Sequence, residues 1–281
     1  MSQSSTPVKR VSALLGFVKD AIRGEEMDYT RGSIRKAVIM LAIPMILEMI
    51  MESVFALVDL YFVGHLPQSD RAQQVVGLTE SVITIIYSLA IGISMAATAL
   101  VARRIGEKNP KAAAKAGAQT TMLSIMVTVV LSIAGFVFAE EILLVMGASK
   151  ETAQYGVTYT RILTGGSIVI MLLFLINGIF RGAGDASMAM KSLCLANVVN
   201  IILCPLLIRG WGPVPAFGLT GAAMATTIGR GTGVIYQLWH LFRGNGIIRM
   251  KLSYFKPDWK LFRHIINIAA PGTFQFLVAS G

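Results

Sequence analysis

Three carboxylic acids lie on the first long apolar segment of the sequence. Glu48, Glu52 and Asp59 all stand between residues 37 and 63. At ~100° per residue they fall within about 40° of one another on a helix surface. A carboxylate at membrane depth costs on the order of 2.5–3.5 kcal/mol, so three on one helix require a hydrated or ion-paired interior position. This acidic stripe favours a site that binds a proton, Na⁺ or an organic cation.

A purely structural role is the alternative for the two glutamates. In that interpretation Glu48 and Glu52 pair with Arg230 on a later apolar segment, or hydrogen-bond to neighbouring helices. Glu80, near the start of the second apolar segment, is a candidate either for the same site or for the outer membrane interface.

Six apolar segments of about 20 residues or more predict the elements that position these side chains, because each is long enough to cross a ~30 Å hydrocarbon core. They are 37–63, 75–101, 116–139, 155–180, 188–208 and 219–241. Hydrophobic residues make up 54% of the chain and charged residues 14%, with a mean hydropathy of +0.67, whereas soluble domains contain roughly 25% charged residues. The sequence therefore predicts an all-α integral membrane protein with a six-helix transmembrane lobe.

The basic residues predict the orientation of that lobe. Of 25 Lys and Arg residues, 20 lie in 1–36, 102–115, 181–191 and 242–263, and only 3 lie in the loops between them. Because Lys and Arg near span ends are retained in the cytoplasm, the N-terminus is predicted to be cytoplasmic. Basic residues spread between apolar segments do not form the folded basic face of a nucleic-acid-binding protein, so no nucleic acid is expected as a partner.

A weak internal repeat indicates a second lobe. Leu41, Ala42 and Pro44 correspond, at a constant offset, to Ile268, Ala269 and Pro271. Parallel repeats of this kind occur in two-lobed transporters. The predicted organisation is a cytoplasmic N-terminal segment at 1–36, a six-span N-lobe at 37–241, a cytoplasmic inter-lobe linker at 242–262, and the start of a seventh span at 263–281, which ends too soon to complete a crossing.

Five motifs in register resemble the multidrug and toxic compound extrusion family, MATE. They are LAIPMILEMIMESVFALVDLYFVGHL at 41–66, ARRIGEKNPKAAAKA at 102–116, RGAGDA at 181–186, NVVNIILCPLLI at 197–208 and GLTGAAMATTIGR at 218–230. The resemblance implies a bacterial inner-membrane antiporter with twelve spans in two lobes. Such a protein exports small organic cations in exchange for Na⁺ or H⁺ by alternating access. The resemblance also implies the lipid bilayer and a missing C-terminal lobe as partners. It implies no cofactor apart from the coupling ion.

The resemblance also assigns site residues by position. Asp59 matches the acidic residue of the first span, Asn200 an amide of the fifth and Thr226 a hydroxyl of the sixth. Phe55 stands where some members have tyrosine, and Cys204 where many have aspartate. Both departures remove polar groups from the site. We expect Asp59 to titrate or bind the cation alongside Glu52, with Asn200 and Thr226 as neutral oxygen ligands of Na⁺.

Three other functions stay open. A lipid-linked saccharide flippase of the same superfamily would use basic residues in its cavity, for which Arg161 and Arg230 are the candidates within spans. A membrane-embedded enzyme would use the carboxylates as metal ligands or as acid and base, but no companion motif accompanies them, and the chain is predicted not to be an enzyme. A single lobe with a helix stub would be inactive alone.

Overall fold

Long helices form most of the chain in a computed structural model that describes residue 22 and residues 33–243 and 246–280. These helices are α1 (Ile34–Gly64), α2 (Ser69–Gly106), α3 (Pro110–Val137), α4 (Ala139–Val145), α5 (Lys150–Gly165), α6 (Ser167–Gly182), α7 (Ala186–Arg209), α8 (Leu219–Arg243) and α9 (Trp259–Ser280). A 3-10 turn spans Leu252–Phe255. The described ranges contain no strand beyond an isolated bridge between Trp211 and Val214. Most of the predicted segment 1–36 lies outside the described residues.

Five stretches of helix are long and apolar enough to cross a membrane. They are Ala37–Gly64, Ser69–Gly106, Pro110–Val137, Lys150–Gly182 and Ala186–Arg209. Each contains most of one of the first five predicted spans, and α2 extends well beyond its predicted span at both ends. The predicted all-α membrane lobe is confirmed.

The sixth predicted span, in α8, is not among these five stretches, because its mean hydropathy is too low. It is long enough, since its 25 residues extend over about 37 Å at ~1.5 Å per residue. The physical reason is its packing against α7. A Cβ at Gly221 would lie 2.4 Å from the carbonyl oxygen of Leu207, and one at Gly233 would lie 3.0 Å from that of Ser192. The two helices are therefore antiparallel and close. Its glycines and buried Arg230 lower the mean hydropathy of α8, and they lie on the side of the helix that packs against protein.

The fourth predicted span is divided into two helices, which the continuous apolar segment 155–180 does not indicate. Helix α5 ends at Gly165 and α6 begins at Ser167. A Cβ at Gly166 would lie 2.7 Å from the carbonyl oxygen of Ile162 and 2.9 Å from a methyl carbon of Thr227. The break thus lies where the backbone closely approaches α8.

The segment between α8 and α9 is held on α3. Gln119 donates to the carbonyl oxygens of Tyr254 and Lys256 at 2.6 Å and 2.7 Å, and accepts from the N–H of Asp258 at 2.9 Å. Helix α9 begins at Trp259, four residues before the predicted start of the seventh span. It packs against α2, where Gly92 lies beside Thr273. The boundaries of the linker and of the lobes stay predictions.

Candidate functional site

A cavity of about 440 Å³, open on one side, lies between α1, α2, α5, α6 and α8. We call it the acidic cavity. Its polar lining residues are Glu52, Asp59, Glu80, Tyr87, Tyr159, Thr226 and Arg230, and Phe55 with several aliphatic side chains completes it. It therefore contains three carboxyl groups and one guanidinium. Of the eight residues predicted for the site, five line this cavity: Glu52, Phe55, Asp59, Glu80 and Thr226.

The guanidinium of Arg230 is neutralised by Glu52. Arg230 Nη2 donates to Glu52 Oε1 at 2.9 Å, and Asn197 Nδ2 donates to Glu52 Oε2 at 3.3 Å. The Arg230 Cζ atom also lies 5.3 Å and 5.5 Å from the ring centres of Phe55 and Tyr87, within the range of cation–π attraction. The pairing proposed from sequence between Glu52 and Arg230 is present, and it connects α1 with α8.

Asp59 and Glu80 lack such compensation. The thiol of Cys204 lies 3.6 Å from Asp59 Oδ1, which is the reach of a weak S–H donor. Within the described parts of the chain, neither Asp59 nor Glu80 forms an ion pair with a basic side chain. The side chain of Glu80 lines the same cavity as Asp59, and its position relative to the outer membrane interface stays a prediction. Two carboxyl groups thus face the cavity without a counter-ion.

The two neutral oxygen ligands expected for Na⁺ lie beside each other. Asn200 Nδ2 donates to Thr226 Oγ1 at 3.2 Å, and Thr226 lines the acidic cavity with Asp59. Asn200 is buried behind Thr226, and its Oδ1 atom has no hydrogen-bond partner among the described residues. The described chain contains no cluster of three or more His, Cys, Asp or Glu side chains that would hold a metal ion.

Glu48 lies apart from the acidic cavity. It is buried in an ion pair with Arg181, and Asn177 Nδ2 lies 3.4 Å from its Oε1 atom. Both charged residues line a second cavity of about 700 Å³ between α1, α2, α6 and α7, which Glu52 also reaches. The partner of Glu48 is therefore Arg181 and not Arg230. Arg181 is the first residue of the predicted cytoplasmic segment 181–191, and in the structure it belongs to the last turn of α6.

Several residues around the site were not identified from sequence. Tyr87 and Tyr159 also line the acidic cavity. Tyr87 stands in an apolar run and Tyr159 between Thr158 and Thr160, and nothing in the spacing marks either of them as a cavity residue. Arg161, considered together with Arg230 as a basic cavity residue, does not line the acidic cavity and lies against Phe136.

Comparison with known proteins gives consistent matches. The MatE family profile matches residues 44–206. The "Probable multidrug resistance protein NorM" of Thermotoga maritima is 28% identical over 247 residues, which are 88% of this chain and 53% of that protein. Among solved structures, a MATE protein in complex with MaD3S has a TM-score of 0.81 at 28% identity, covering 92% of this chain and 55% of that one. A MOP superfamily transporter from Pyrococcus furiosus, described with a binding pocket of reversed polarity, has a TM-score of 0.81 at 28% identity, covering 90% and 56%. The chain spans about half the length of the curated relatives it matches.

Proposed function

Since the chain belongs to the MatE family of multi-pass membrane proteins, we propose that it forms one lobe of a secondary antiporter that exports small organic cations in exchange for Na⁺ or H⁺. The observation that carries the proposal is the charge of the acidic cavity. Asp59 and Glu80 have no counter-ion within the described residues, while Arg230 is neutralised by Glu52. The cavity therefore attracts a cation.

The size and lining of the cavity support an organic cation. Its volume of about 440 Å³ lies within the usual range of ~300–1,000 Å³ for small-molecule sites. Tyr159 offers an aromatic surface for a cation, while Phe55 and Tyr87 already lie beside Arg230. In this proposal the coupling ion and the organic cation compete for Asp59, so binding of one releases the other.

The same residues offer a place for Na⁺. Asp59 supplies a carboxylate and Thr226 a hydroxyl to the cavity, and the unpaired Oδ1 atom of Asn200 lies behind Thr226. Carboxylate, hydroxyl and amide oxygens suit a hard cation. A proton bound by Asp59 would fill the same role. The bacterial relatives support a location in the bacterial inner membrane, and the distribution of Lys and Arg supports a cytoplasmic N-terminus.

The saccharide flippase has less support. A diphosphate needs free basic groups, but Arg161 lies outside the acidic cavity and Arg230 is paired with Glu52. Alternating access needs a second lobe, so we propose that the isolated chain is inactive and that transport requires the C-terminal lobe as its partner.

Transport by proteoliposomes tests the proposal. The vesicles would contain this chain joined to its second lobe, with a Na⁺ gradient or a pH gradient imposed separately. We expect accumulation of a fluorescent organic cation under one of the two gradients, and none of an anionic dye of similar size. Absence of cation movement under both gradients, with correctly folded protein, would contradict antiport.

A further inference from the structure

A groove of about 440 Å³ lies on the other side of α5 from the acidic cavity. It is formed by the last turns of α3 and by the junction of α5 with α6. We call it the Arg161 groove. Its lining residues are Ser132, Ile133, Phe136, Val137, Arg161, Ile162, Gly165 and Gly166. None of them lines the acidic cavity.

Arg161 carries the only charge in this groove, and the described residues do not neutralise it. Its Nε atom is buried without a hydrogen-bond partner, and it forms no ion pair within those residues. Its one contact of note is with Phe136, whose ring centre lies 6.0 Å from Cζ. Arg230, by contrast, has Glu52 as a counter-ion. A buried guanidinium nitrogen without an acceptor is unfavourable, so an external anion would be favoured here.

The packing of α3 against α5 shows where Arg161 lies along the length of the two helices. A Cβ at Gly135 would lie 2.6 Å from Thr164, and one at Gly165 would lie 3.0 Å from Phe136. Arg161 is one turn beyond Gly165 toward the start of α5, so it lies level with the end of α3 at Val137. Helix ends of this kind meet the headgroup region, where long basic side chains place their charge.

The rest of the groove is apolar and faces outward. Ile133, Phe136 and Val137 are each more than half exposed. Large exposed apolar side chains beside one unpaired cation match a molecule with an anionic head and hydrocarbon chains. Ser132 could also hydrogen-bond an anion, but its hydroxyl is already hydrogen-bonded to that of Ser167 at 2.8 Å.

We propose that the Arg161 groove binds an anionic phospholipid, with the phosphate on the guanidinium of Arg161 and one acyl chain along Ile133 and Phe136. Arg binds phosphate through charge-assisted hydrogen bonds, and long basic side chains at helix ends place their charge at the headgroup level. The lipid neutralises Arg161 and covers the break between α5 and α6. This site goes beyond the transport proposal and stands whether or not the acidic cavity carries cations.

Native mass spectrometry of the delipidated full-length protein, titrated with phosphatidylglycerol, tests the proposal. Arg161→Gln should weaken the tightest lipid adduct about tenfold, the effect of losing a charge-assisted hydrogen bond. Arg209→Gln is the matched control. Arg209 is also predicted to lie outside and has Phe62 5.1 Å from its Cζ atom, but it is exposed. Equal weakening by both substitutions, or by neither, would overturn the proposal.

Further titrations distinguish a lipid from other anions, and a second variant distinguishes a loss of binding from a loss of folding. Phosphatidylcholine should bind wild type more weakly and respond little to Arg161→Gln, and inorganic phosphate should not displace phosphatidylglycerol. Displacement by phosphate alone would show an ion site instead of a lipid site. Ile133→Trp fills the groove from its exposed side and keeps Arg161. If Arg161→Gln fails to fold, this variant decides, because unchanged phosphatidylglycerol binding by Ile133→Trp refutes the site.

Discussion

Arg230 on α8 donates a hydrogen bond over 2.9 Å to Glu52 on α1, a residue 178 positions earlier in the chain. The two partners differ in exposure. The Arg230 side chain is 4% exposed, whereas that of Glu52 is 32% exposed toward the cavities it lines. The pair therefore joins α1 to α8, and the buried arginine depends on its counter-ion more than the partly exposed glutamate does.

Replacing Glu52 should destabilise the protein more than replacing Arg230. Glu52→Ala leaves a buried guanidinium without its counter-ion, for which we expect a loss of roughly 3–5 kcal/mol in the free energy of unfolding. Arg230→Met leaves a carboxylate that the cavity can hydrate. Unfolding in detergent with increasing sodium dodecyl sulfate measures both. The double variant Glu52→Ala/Arg230→Met should be more stable than Glu52→Ala alone, and a double-variant loss equal to the sum of the single losses would refute the coupling.

Asp59→Asn should abolish ion-coupled export. Asparagine retains the size of the side chain and removes the charge that a proton, Na⁺ or organic cation would bind. We expect at least about a tenfold loss of gradient-driven cation accumulation, in line with loss of a charged contact. Asp70→Asn, at the exposed start of α2, is the matched control and should transport as wild type. Wild-type coupling in Asp59→Asn would exclude this carboxylate from the exchange.

The sequence predicts the acidic stripe because helical periodicity and the cost of burying charge are local properties. Asp59 and Glu52 do share one cavity, and Glu80 joins them there. Glu48 could not be separated from them by periodicity. Glu48 differs from them because it pairs with Arg181, 133 residues later in the chain. The position of Arg181 depends on where α6 ends. Hydropathy alone made Arg181 the first residue of the predicted cytoplasmic segment 181–191.

Helix breaks and helix pairings are harder to predict for a related reason. The apolar segment 155–180 has no charged residue to mark its division except Arg161, and the break at Gly166 results from contact with Thr227 on α8. The low hydropathy of α8 likewise follows from its neighbours, because Gly221 and Gly233 face α7. These features depend on tertiary contacts that sequence periodicity does not contain.

Gly92 controls how closely α9 packs against α2. A Cβ at this position would lie 1.9 Å from Thr273 Oγ1 and 2.7 Å from the Thr273 backbone nitrogen. We therefore expect Gly92→Ala to lower the free energy of unfolding by about 1–3 kcal/mol through overpacking. Gly77→Ala in the same helix is the control, since no heavy atom lies within 4 Å of its added Cβ. It should be neutral or stabilise by up to about 1 kcal/mol. Equal effects of the two substitutions would show that the helices separate freely.

Asp258 fastens the start of α9 to α3. Lys115 Nζ donates to Asp258 Oδ2 at 3.0 Å, and the N–H of Leu261 donates to Oδ1 at 3.2 Å. We expect Asp258→Asn to loosen this junction. Fluorescence anisotropy of Trp259 measures the change, in a background where the other two tryptophans are replaced by phenylalanine. Glu107→Gln is the control, because Glu107 pairs with Arg103 and Arg104 at the end of α2.

The contribution of Asp258 should depend on pH in a defined direction. The hydrogen bond from Lys115, followed by that from the Leu261 N–H, lowers the pKa of Asp258. Because the pKa of Asp258 is lower in the folded state, its ionised carboxylate stabilises the fold above the ordinary aspartate pKa of about 3.9. This stabilisation is lost as pH falls through the lowered pKa. The anisotropy difference between wild type and Asp258→Asn should thus be full at neutral pH and disappear as pH falls through the lowered pKa. A difference that persists in acid would mean that the amide disturbs the junction by its shape, since the carboxyl group is then protonated and uncharged.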